Sequence, residues 1–474
     1  MARYGIVLGA GKGTRMNSKD NTYNKVCYPI LGKPVIKYVL DVIKGLDLKK
    51  TVVVAGVGEE KTRAIVGDDA IVVTQKDIIG TGNAVLQAER VLGDFVGTTI
   101  VLYGDTPLLK PETIQNLVKK HEKQRAALTI LTSVTMDGST YNKIVRDEKT
   151  QAVLRINEKK ETSFDGYSSV EIDGGVYVFD NQLLFKYLKR LHPDADHGEY
   201  SLISVVEMMV KDKLKIETFI CEERQETFSI NDRFQLAYAA KKIKKRVNLD
   251  LMLSGVSIED PDTTYISPDV VIEPDVIIHP NTTISGKSHI AHTNEIGPNT
   301  YLENVKIGSN NTVIFSHIVD ATIGDNNDIG PFTRMRGGCV IEGNSRVGNF
   351  VELKNAHFEP GVKCAHLTYI GDADVGEKTN IGCGSITANY DGYNKMHTNI
   401  GKHCFVGSGT ILVAPVTMED NSFTAAGSTI TKTVHEDDMA IERVKQVNLE
   451  GYNSKFLAKA KAKKEASLKA KEGK

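Results

Sequence analysis

The chain of 474 residues carries 59 Lys and Arg against 60 Asp and Glu, which gives a formal net charge of -1. This balance excludes a global field that would attract nucleic acid or an anionic membrane, and the length predicts two or three domains. The six cysteines include no Cys-x-x-Cys pair, which argues against a zinc knuckle or a disulfide framework. No apolar run approaches the roughly 20 residues that cross a bilayer. We therefore expect a soluble protein of the cytoplasm.

The first predicted strand, Tyr4 to Leu8, leads into a glycine-rich loop, Gly9-Ala-Gly-Lys-Gly-Thr-Arg-Met16. Glycines let backbone N–H groups approach phosphate oxygens, and Lys12 and Arg15 supply the charge that a triphosphate needs. The loop is not a dinucleotide fingerprint, because Thr14 stands where glycine is required, and no Gly-Lys-[Ser/Thr] closes it as a Walker loop. The loop predicts nucleotide binding, and a merely structural turn is the alternative.

Further apolar runs at Thr51–Ala55, Ala70–Thr74 and Thr98–Tyr103 alternate with segments of helical period at Pro34–Leu46 and Gly82–Leu92. Such alternation is typical of an α/β domain with a mainly parallel sheet and flanking helices, about 225 to 235 residues long. Sites in these sheets lie at the carboxyl ends of the strands.

Asp105 follows one of these predicted strands beside a glycine. A carboxylate at this position is suited to holding Mg²⁺ against phosphates. A helix cap or a turn residue is the alternative for a lone aspartate.

From about Ile266 to Ile430 an apolar residue returns at every sixth position for most of the length. This period fits neither a helix nor a lone strand, but it fits a short strand plus a corner, repeated. At three hexads a turn, the region predicts a β-solenoid of about nine turns with an aliphatic interior ladder. A β-sandwich is disfavoured because its strands are not spaced by a constant six. The ladder positions are Ile266, Ile272, Ile278, Ile284, Ile290, Ile296 and Leu302, then Ile323, Ile329, Met335, Ile341, Val347 and Leu353, then Ile400, Val406, Leu412, Met418, Thr424 and Ile430.

The six-residue rhythm fails between Leu353 and Val375 and again between Ile381 and Ile400, where Thr387 to Lys395 is inserted. Insertions into a solenoid project from the coil, so we expect a site there. His366 is accompanied in this region by cationic and hydrogen-bonding groups suited to a phosphorylated amino sugar. These are Arg336, Lys354, Tyr369, Asn380 and Lys395.

A helical segment, Asp232–Leu253, links the predicted sheet to the predicted solenoid. Its Lys241–Arg246 cluster is expected to be a solvated face, with a basic patch as the alternative. After Phe456 the Lys/Ala-rich tail predicts a fraying helix or a disordered end.

These motifs resemble a known family, the bifunctional UDP-N-acetylglucosamine pyrophosphorylase/glucosamine-1-phosphate N-acetyltransferases, over about residues 3 to 452. The resemblance rests on Leu8-Gly-Ala-Gly-Lys-Gly-Thr-Arg-Met, Lys25, Gln75 with Gly80-Thr-Gly, Tyr103-Gly-Asp-Thr-Pro-Leu, Arg334-Met-Arg-Gly, His366-Leu-Thr-Tyr-Ile-Gly-Asp, Asn380-Ile-Gly-Cys-Gly, Asn389-Tyr-Asp-Gly-Tyr-Asn-Lys and Ala440-Ile-Glu-Arg. It implies a nucleotidyltransferase domain at 1–231, a helical linker at 232–254, a left-handed β-helix of hexapeptide repeats at 255–452 and a tail at 453–474.

For the first domain, the resemblance implies in-line attack of a sugar phosphate on the α-phosphorus of UTP, with pyrophosphate leaving. Arg15 and Lys25 would face the phosphates, and Asp105 with Asn231 would bind Mg²⁺. The implied nucleotide- and sugar-binding residues are Leu8, Gly9, Ala10, Gly11, Gln75, Gly80, Thr81, Tyr103, Asn142, Glu158, Asp173 and Asn231.

Three positions depart from the family pattern: Asn24 replaces proline, Asn142 replaces glycine and Asp173 replaces asparagine. Asparagine can both donate and accept hydrogen bonds, whereas an ionised aspartate only accepts. These departures leave open a different nucleotide or sugar for the same architecture.

For the β-helix, the resemblance implies that His366 is the general base that takes a proton from the amine of glucosamine-1-phosphate as the amine attacks acetyl-CoA. The implied sugar-phosphate ligands are Arg336, Lys354, Tyr369, Asn380 and Lys395. The implied acetyl-CoA ligands are Cys383, Asn389, Tyr390, Ser408, Ala426 and Arg443, with Ser408 near the developing oxyanion. Cys383 replaces alanine, Gly337 proline and Gly409 aspartate.

The implied function is therefore acetylation of glucosamine-1-phosphate followed by uridylylation, with Mg²⁺ as cofactor, acetyl-CoA and UTP as co-substrates, and a homotrimer as the assembly. One alternative is an enzyme with another sugar or nucleotide, or with only one active centre. A second alternative is a non-catalytic trimeric scaffold. The scaffold is disfavoured because the sequence keeps Lys12, Arg15, Lys25, Asp105 and His366 together.

Overall fold

The computed structural model describes residues 1–18, 23–136, 141–157, 169–193 and 198–472. The chain divides into two compact units, Met1–Ser309 and Asn310–Lys474. This division falls inside the repeat region, whereas the sequence placed its main boundary before the linker helix. The domain limits drawn from the sequence stay a prediction.

The first unit begins with an α/β sheet. Its strands, with one separate hairpin of β2 and β3, are β1 (Arg3–Gly9), β2 (Pro29–Ile30), β3 (Lys33–Pro34), β4 (Lys50–Ala55), β5 (Ile71–Thr74), β6 (Thr98–Tyr103), β7 (Leu128–Thr135), β8 (Lys143–Arg146), β9 (Val153–Asn157), β10 (Val170–Asp180) and β11 (Ile216–Ile220). The strand order in the sheet is β11-β7-β10-β6-β1-β4-β5. The parallel pairs are β1 with β4 and β6, β4 with β5, and β7 with β11, whereas β10 is antiparallel to both of its neighbours. The predicted mainly parallel sheet is confirmed.

Helices cover both faces of this sheet. Neighbouring residues of β1 show this, because Ile6 packs into one buried cluster and Val7 into another. A strand buried on both faces reads as a continuous apolar run, which is how the sequence revealed it. The helices are α1 (Val35–Lys44), α2 (Glu59–Val66), α3 (Thr81–Leu86), α4 (Glu89–Leu92), α5 (Pro111–Gln124), α6 (Asn181–Leu188), α7 (Leu202–Lys211) and α8 (Arg233–Leu253).

Helix α8 begins at a side-chain cap, since Asp232 Oδ1 accepts a hydrogen bond of 2.7 Å from Gln235 N. The prediction that its basic cluster is a solvated face is wrong for Lys244. That residue is buried, donates a hydrogen bond to Asp262 O, and lies 4.6 Å above the ring of Tyr265. Lys244 thus links the helix to the first strands of the coil.

Short strands follow α8 to the end of the first unit, and those whose partner also lies in this unit pair in parallel with the third strand after them. Tyr265 lies beside Thr283, and Val271 beside His289, a step of 18 residues along the chain. Three strands therefore form one turn, as the six-residue period predicted. These strands are β12 (Ser257–Ile258), β13 (Tyr265–Ile266), β14 (Val271–Ile272), β15 (Ile277–Ile278), β16 (Thr283–Ser285), β17 (His289–Ile290), β18 (Glu295–Ile296), β19 (Tyr301–Glu303) and β20 (Lys306–Ile307).

The second unit continues the same repeat. Asn380 pairs with Phe405, 25 residues away, where the usual step is about 18. The predicted insertion at Thr387–Lys395 accounts for the extra length. The strands are β21 (Thr312–Val313), β22 (His317–Val319), β23 (Ala321–Asp325), β24 (Asp328–Ile329), β25 (Thr333–Arg336), β26 (Cys339–Gly343), β27 (Arg346–Val347), β28 (Val351–Phe358), β29 (Lys363–Cys364), β30 (Tyr369–Val375), β31 (Asn380–Ile381), β32 (Ile386–Ala388), β33 (Thr398–Ile400), β34 (Phe405–Val406), β35 (Ile411–Val413), β36 (Val416–Met418), β37 (Phe423–Thr424), β38 (Thr429–Ile430) and β39 (Met439–Ala440).

Every ladder position that the sequence identified is buried, with at most 6% of any side chain exposed. Thr424, the one polar member, is satisfied there because its hydroxyl accepts from Gly407 N and pairs with Thr410 Oγ1, both at 3.0 Å. The repeat is a parallel β-helix, consistent with the left-handed class that the resemblance implies.

The tail forms an exposed helix, α9 (Tyr452–Glu472). Of the described helices, none is both long enough and apolar enough to cross a membrane. All six cysteines are free, and Cys383 alone is exposed.

Candidate active sites

The glycine-rich loop and Asp105 lie side by side because their strands are neighbours in the sheet. Leu8 at the end of β1 pairs with Tyr103 at the end of β6, and Gly104 N donates a hydrogen bond of 2.8 Å to Leu8 O. The carboxyl ends of parallel strands thus place Gly9, Ala10 and Gly11 next to the aspartate, as the sequence predicted.

Asn24 holds the glycine loop in place. Its buried amide nitrogen donates to Gly9 O at 2.7 Å, to Gly11 O at 3.1 Å and to Val57 O at 3.1 Å. Its oxygen also accepts from Val26 N at 3.2 Å and so caps the short helical turn that carries Lys25. One side chain therefore fixes both the loop and the lysine.

Four polar residues from distant parts of the chain converge in front of this loop. Lys25 Nζ contacts Asp105 Oδ2 directly and donates to Asn231 Oδ1 at 3.0 Å. Arg15 Nη2 donates to the same Asn231 oxygen at 3.0 Å. Asp105 is joined to this segment through the backbone as well, because Ile230 N donates to Asp105 O at 2.9 Å. Two cationic groups and two oxygen ligands therefore share one point.

Gln75, Gly80 and Thr81 form a second wall, built by local contacts. Gln75 is buried, and its amide donates to Gly80 O at 3.1 Å. Gly80 has a φ of +110°, and a Cβ there would lie 2.5 Å from Tyr200 O, so glycine is required. Thr81 Oγ1 accepts from Leu202 N at 3.0 Å. These contacts fix the loop that the resemblance assigns to the nucleotide.

The residues assigned to the sugar form a connected group. Tyr177 Oη donates to Asp173 Oδ2 at 2.6 Å, and Asp173 N donates to Asn142 O at 2.9 Å. Tyr103 lies beside this group, because a Cβ on Gly175 would be 3.0 Å from a ring carbon of Tyr103. Burial raises the pKa of Asp173, although hydrogen bonds from Tyr177, Gly175 and Asn142 oppose that effect. Glu158 lies outside the described residues.

In the second unit, four of the predicted residues occupy the same corner of successive turns. Each of them is followed by a residue with positive φ. The N–H of that residue donates to the predicted residue one turn earlier. Gly384 N donates to His366 O at 3.2 Å, Gly409 N to Cys383 O at 2.7 Å, and Gly427 N to Ser408 O at 2.8 Å. His366, Cys383, Ser408 and Ala426 therefore form one column, with neighbours about 4.8 Å apart. Arg443 Nη1 donates to Ala426 O at 2.8 Å and so lies at the end of this corner column.

A cationic pair lies on the strands beside this column. Arg336 and Lys354 are register partners on neighbouring strands, and Arg336 Nη1 is 3.2 Å from Glu352 Oε1. The hydrogen bond with Lys395 is the main cause that raises the pKa of Lys354, and the same contact lowers the pKa of Lys395. The neighbouring amino groups of Lys354 and Lys395 can bind an anion such as a phosphate monoester.

Asp372 organises the groups around Lys354. Its carboxylate accepts from Asn355 Nδ2 at 2.9 Å and from Lys354 Nζ at 3.3 Å, and also from Asn389 Nδ2. Burial tends to raise the pKa of Asp372, but the hydrogen bonds from Asn355, Asn389 and Lys354 outweigh it, so this pKa lies below its usual value. Asn389 and Lys354 are thus held by one carboxylate.

Three other predicted ligands have distinct positions. Asn380 lies on β31, in a different sheet from the strands of Lys354 and Tyr369. Tyr390 lies in the insertion, where it bridges to Lys395. Tyr369 folds its hydroxyl over Gly371, where a Cβ would lie 2.3 Å from the oxygen.

Comparison with known proteins decides the family. The family model of the MobA-like NTP transferase domain matches residues 5–204. The bifunctional protein GlmU of Exiguobacterium sp. (strain ATCC BAA-1283 / AT1b) is 42% identical over 455 residues, which cover 96% of this chain and 100% of that protein. The bifunctional protein GlmU of Brevibacillus brevis is 41% identical over 458 residues, which cover 97% of this chain and 98% of that protein.

This chain belongs to the GlmU family.

Similarity to solved structures is lower. A UDP-glucose pyrophosphorylase complexed with UDP-glucose covers 52% of this GlmU family chain at a TM-score of 0.42 and 18% identity, which is too low to bear on function.

Sequence reasoning missed several residues that shape the sites of this GlmU family member. Asn24 was noted as a departure from the family, but its three carbonyl partners could not be foreseen. Asp372 stood at the end of the quoted His366 motif without a role. Tyr177 gave no signal, because an aromatic residue in a predicted strand indicates core packing.

Proposed function

We propose that this chain makes UDP-N-acetylglucosamine in two steps, acetylation of glucosamine-1-phosphate and then uridylyl transfer to the product. The observation that carries the proposal is the convergence of Arg15, Lys25, Asp105 and Asn231 at the nucleotide loop, in a chain related over its whole length to bifunctional proteins. Neither a one-centre enzyme nor a non-catalytic scaffold is favoured, because both sets of polar groups are present. We place the reactions in the cytoplasm, where UTP and acetyl-CoA are available.

Uridylyl transfer requires alignment and charge neutralisation. A phosphate oxygen of N-acetylglucosamine-1-phosphate attacks the α-phosphorus of UTP, a new P–O bond forms, and the bond to pyrophosphate breaks. Arg15 and Lys25 stabilise the charge on the phosphates, and the loop of Gly9 to Gly11 offers backbone N–H groups. No proton transfer from a side chain is required.

The residues present fit a magnesium ion. Asp105 Oδ1 is buried and has no hydrogen-bond partner among the described residues, while Oδ2 faces Lys25. Asn231 supplies a second oxygen at the same point. Mg²⁺ is commonly held by one or two protein oxygens plus phosphate oxygens, so Asp105 and Asn231 would hold it. When bound, the ion supplies charge stabilisation to the phosphates.

Acetyl transfer uses the corner column of the β-helix. His366 takes a proton from the 2-amino group as that amine attacks the thioester carbonyl, an N–C bond forms, and the C–S bond breaks to release coenzyme A. Arg336, Lys354 and Lys395 bind the sugar phosphate, and Ser408 lies on the column where the oxyanion develops. Histidine is the side chain best suited to this proton transfer near neutral pH.

The positive-φ residues that follow the corner column change in size from turn to turn, and this change indicates where acetyl-CoA binds. Phe332, Phe350 and Leu367 occupy the positive-φ position in successive turns, and Gly384 and Gly409 occupy it in the next turns. Glycine leaves a trough beside Cys383 and Ser408, which can take the extended pantetheine arm. The trough begins one turn from His366, so the thioester end of the arm would lie at the base.

The bulky residues at the positive-φ position beside the corner column support assembly with other copies. Phe315, Phe332, Phe350 and Leu367 form an exposed ladder, with 37%, 50%, 57% and 63% of their surface accessible, and the Phe332 and Phe350 rings stack at 4.9 Å. A continuous apolar ladder beside a catalytic residue fits a surface that a second copy covers. We propose a homotrimer in which another copy completes the site and supplies a group such as Asn380.

We propose the domain limits 1–231, 232–254, 255–452 and 453–474. The last sheet strand ends at Ile220, and α8 begins after its cap at Asp232. The coil strands begin at Ser257, and the tail helix begins at Tyr452. Limited proteolysis that cuts first near residues 232–254 or 453–474 supports these limits.

The experiment that tests the proposed function measures each half-reaction separately with purified protein. Pyrophosphate release is followed with UTP, Mg²⁺ and, in turn, N-acetylglucosamine-1-phosphate, glucose-1-phosphate and glucosamine-1-phosphate. Thiol release is followed with acetyl-CoA and glucosamine-1-phosphate. Activity in both assays, with the acetylated sugar preferred in the first, supports the proposal, and absence of either activity contradicts it.

A further inference from the structure

A short hairpin, residues 389–396, leaves the coil in the insertion that interrupts the six-residue rhythm. Met396 N donates to Asn389 O at 2.9 Å, and Tyr390 bridges to Lys395 in antiparallel register. Asp391 Oδ1 closes the tip by accepting from two backbone N–H groups of the turn, at 2.8 and 2.6 Å. Every residue between Tyr390 and Lys395 is exposed. The inserted hairpin is therefore ordered by its own hydrogen bonds, and its position on the coil depends on what holds its base.

Asp372 holds that base. Its Oδ2 accepts from Asn389 Nδ2 and, at 3.3 Å, from Lys354 Nζ, while its Oδ1 accepts from Asn355 Nδ2 at 2.9 Å. Asp372 is 9% exposed and Asn389 is 8% exposed, so the contact between them is largely shielded from water. Hydrogen bonds to an ionised group in such a place are stronger than those between neutral groups. One oxygen thus joins the inserted hairpin to the strand that carries Lys354.

The backbone at Asp372 directs its carboxylate out of the strand. Strand β30 pairs with β28 on both sides of Asp372 but not at Asp372 itself. Asp372 has a φ of +50°, and Asn355, one turn earlier, has a φ of +46°. Aspartate and asparagine are the residues that enter this left-handed region most readily after glycine. A left-handed residue that also carries a buried carboxylate is a candidate for a functional role.

The residues around this carboxylate bring the two proposed substrate sites together. A Cβ on Gly371 would lie 2.3 Å from Tyr369 Oη and 2.9 Å from Asn389 Nδ2, so both groups face the same glycine. The proposed function assigns Tyr369 to the sugar phosphate and Asn389 to acetyl-CoA. Lys395, a further sugar-phosphate ligand, lies next to the other end of the inserted hairpin. The position of this hairpin therefore affects ligands of both substrates.

We propose that Asp372 is a positioning residue for acetyl transfer, which fixes the inserted hairpin on the coil and so sets the affinity for both glucosamine-1-phosphate and acetyl-CoA. The inference deepens the proposed acetyl transfer and rests on it. The carboxylate acts through other residues, since its oxygens already accept from three side chains. An amide at this position would offer a single acceptor oxygen to three donors, so the charge matters as well as the shape.

The first test is Asp372→Asn, assayed by thiol release with acetyl-CoA and glucosamine-1-phosphate. Asparagine keeps the size of the side chain and tolerates the left-handed backbone, as Asn355 shows, so the coil should fold. The KM for each of the two substrates is expected to rise about tenfold, with kcat within about threefold of the parent. Pyrophosphate release should not change. A rise in only one KM, or in neither, overturns the proposal.

Asp320→Asn is the matched control. Asp320 has a φ of +51° at the same corner of the coil three turns earlier, which is about 14 Å along the coil axis. The control makes the same change of charge on the same kind of backbone without reaching the inserted hairpin. Both KM values should stay within about twofold of the parent. Equal rises in the two variants would overturn the proposal, because the charge of the coil and not the hairpin contact would then set the affinity.

Asn389→Ala approaches the same contact from the hairpin side and leaves the carboxylate in place. It should raise the KM for glucosamine-1-phosphate, the substrate to which Asn389 is not assigned, about fivefold or more. This variant also serves if Asp372→Asn does not fold. An unchanged KM for glucosamine-1-phosphate would show that the contact does not position the inserted hairpin.

Two double-mutant cycles separate positioning from a general loss of structure. Asp372→Asn combined with Asn389→Ala should raise the KM for acetyl-CoA little more than the stronger single variant, because both remove one contact. Asp372→Asn combined with Ser408→Ala should multiply the two single effects, since the structure describes no contact between these residues. A role that is merely structural predicts multiplied effects in both cycles, and that result overturns the proposal.

Failure of this inference and failure of the proposed function give different results. If the parent protein releases no thiol from acetyl-CoA with glucosamine-1-phosphate, the acetyltransferase assignment itself is wrong. If the parent is active and Asp372→Asn behaves like Asp320→Asn, only the role of Asp372 is wrong. Thermal unfolding of each variant confirms that folded proteins are compared.

Discussion

The ammonium group of Lys25 contacts the carboxylate of Asp105, although 80 residues separate them in the chain. The contact arises because the turn capped by Asn24 and the end of β6 meet at one edge of the sheet. In the proposed uridylyl transfer, Lys25 would stabilise the negative charge of the phosphates.

Lys25→Met is expected to reduce kcat for pyrophosphate release about 10²- to 10³-fold, the usual effect of removing one preorganised charge donor. Acetyl transfer should be unchanged, because its groups lie in the β-helix. Lys37→Met is the control, since Lys37 also forms an ion pair on this fold, with Asp69 at 2.5 Å. A similar loss of pyrophosphate release in both variants would contradict the role of Lys25.

Asn24→Ala is expected to destabilise the first unit by about 1 to 3 kcal/mol, because three carbonyl groups lose their donor. Asn24→Pro should cost less than Asn24→Ala. The backbone at Asn24 has a φ of -70°, which is the φ of proline, and proline restricts the unfolded chain. Chemical denaturation of the three proteins measures this order, and a larger loss for proline would show that the backbone at this position does not accommodate proline.

Lys395 is expected to titrate below an ordinary lysine, because the neighbouring Lys354 lowers its pKa. Lys354→Met should move the pKa of Lys395 back up, since the hydrogen bond and the like charge are lost. NMR titration of labelled lysine side chains follows this directly. An unchanged Lys395 resonance titration in the variant would show that the two amino groups do not interact in solution.

Gly384→Leu is expected to close the proposed acetyl-CoA trough. The fold should tolerate leucine there, because Leu367 holds the same positive-φ position one turn earlier and a Cβ on Gly384 would contact only Gly409, at 3.9 Å. The KM for acetyl-CoA should rise about tenfold or more, with a modest loss of stability of about 1 to 2 kcal/mol from the left-handed backbone.

His403→Leu is the matched control for this change, because His403 is an exposed residue with a φ of +55° at another corner of the coil. The native histidine already holds the left-handed backbone there, so this variant places leucine at such a corner without entering the trough and without the cost of replacing a glycine. If the KM for acetyl-CoA is the same in Gly384→Leu and in the control, the trough at Gly384 and Gly409 does not bind acetyl-CoA.

The β-helix could be predicted in detail because each turn repeats one physical requirement. An aliphatic residue must point inward every sixth position, and the corner after it must accept tight backbone, so both signals recur along the sequence. Even the polar Thr424 was identified as a ladder position, although its hydroxyl partners at Gly407 and Thr410 could not be foreseen.

The sites could be predicted less completely, since their contacts join residues far apart in sequence through local irregularities. Asp173 contacts Tyr177 only because β10 has a bulge, and no periodic sequence pattern predicts a bulge of that kind. Lys244 was expected in solvent because lysine usually lies there. Its side chain is buried instead, and its ammonium group donates a hydrogen bond to the carbonyl of Asp262. Asn380 was grouped with Lys354 by resemblance, whereas the strand order of one chain puts them in different sheets.

A parallel assay of both half-reactions for the parent protein, Asp105→Ala and His366→Ala decides whether the chain holds two independent centres. Asp105→Ala is expected to abolish pyrophosphate release and leave acetyl transfer intact, and His366→Ala is expected to do the reverse. Loss of both activities in either folded variant, or a parent protein that lacks one of them, would contradict two independent centres on this chain.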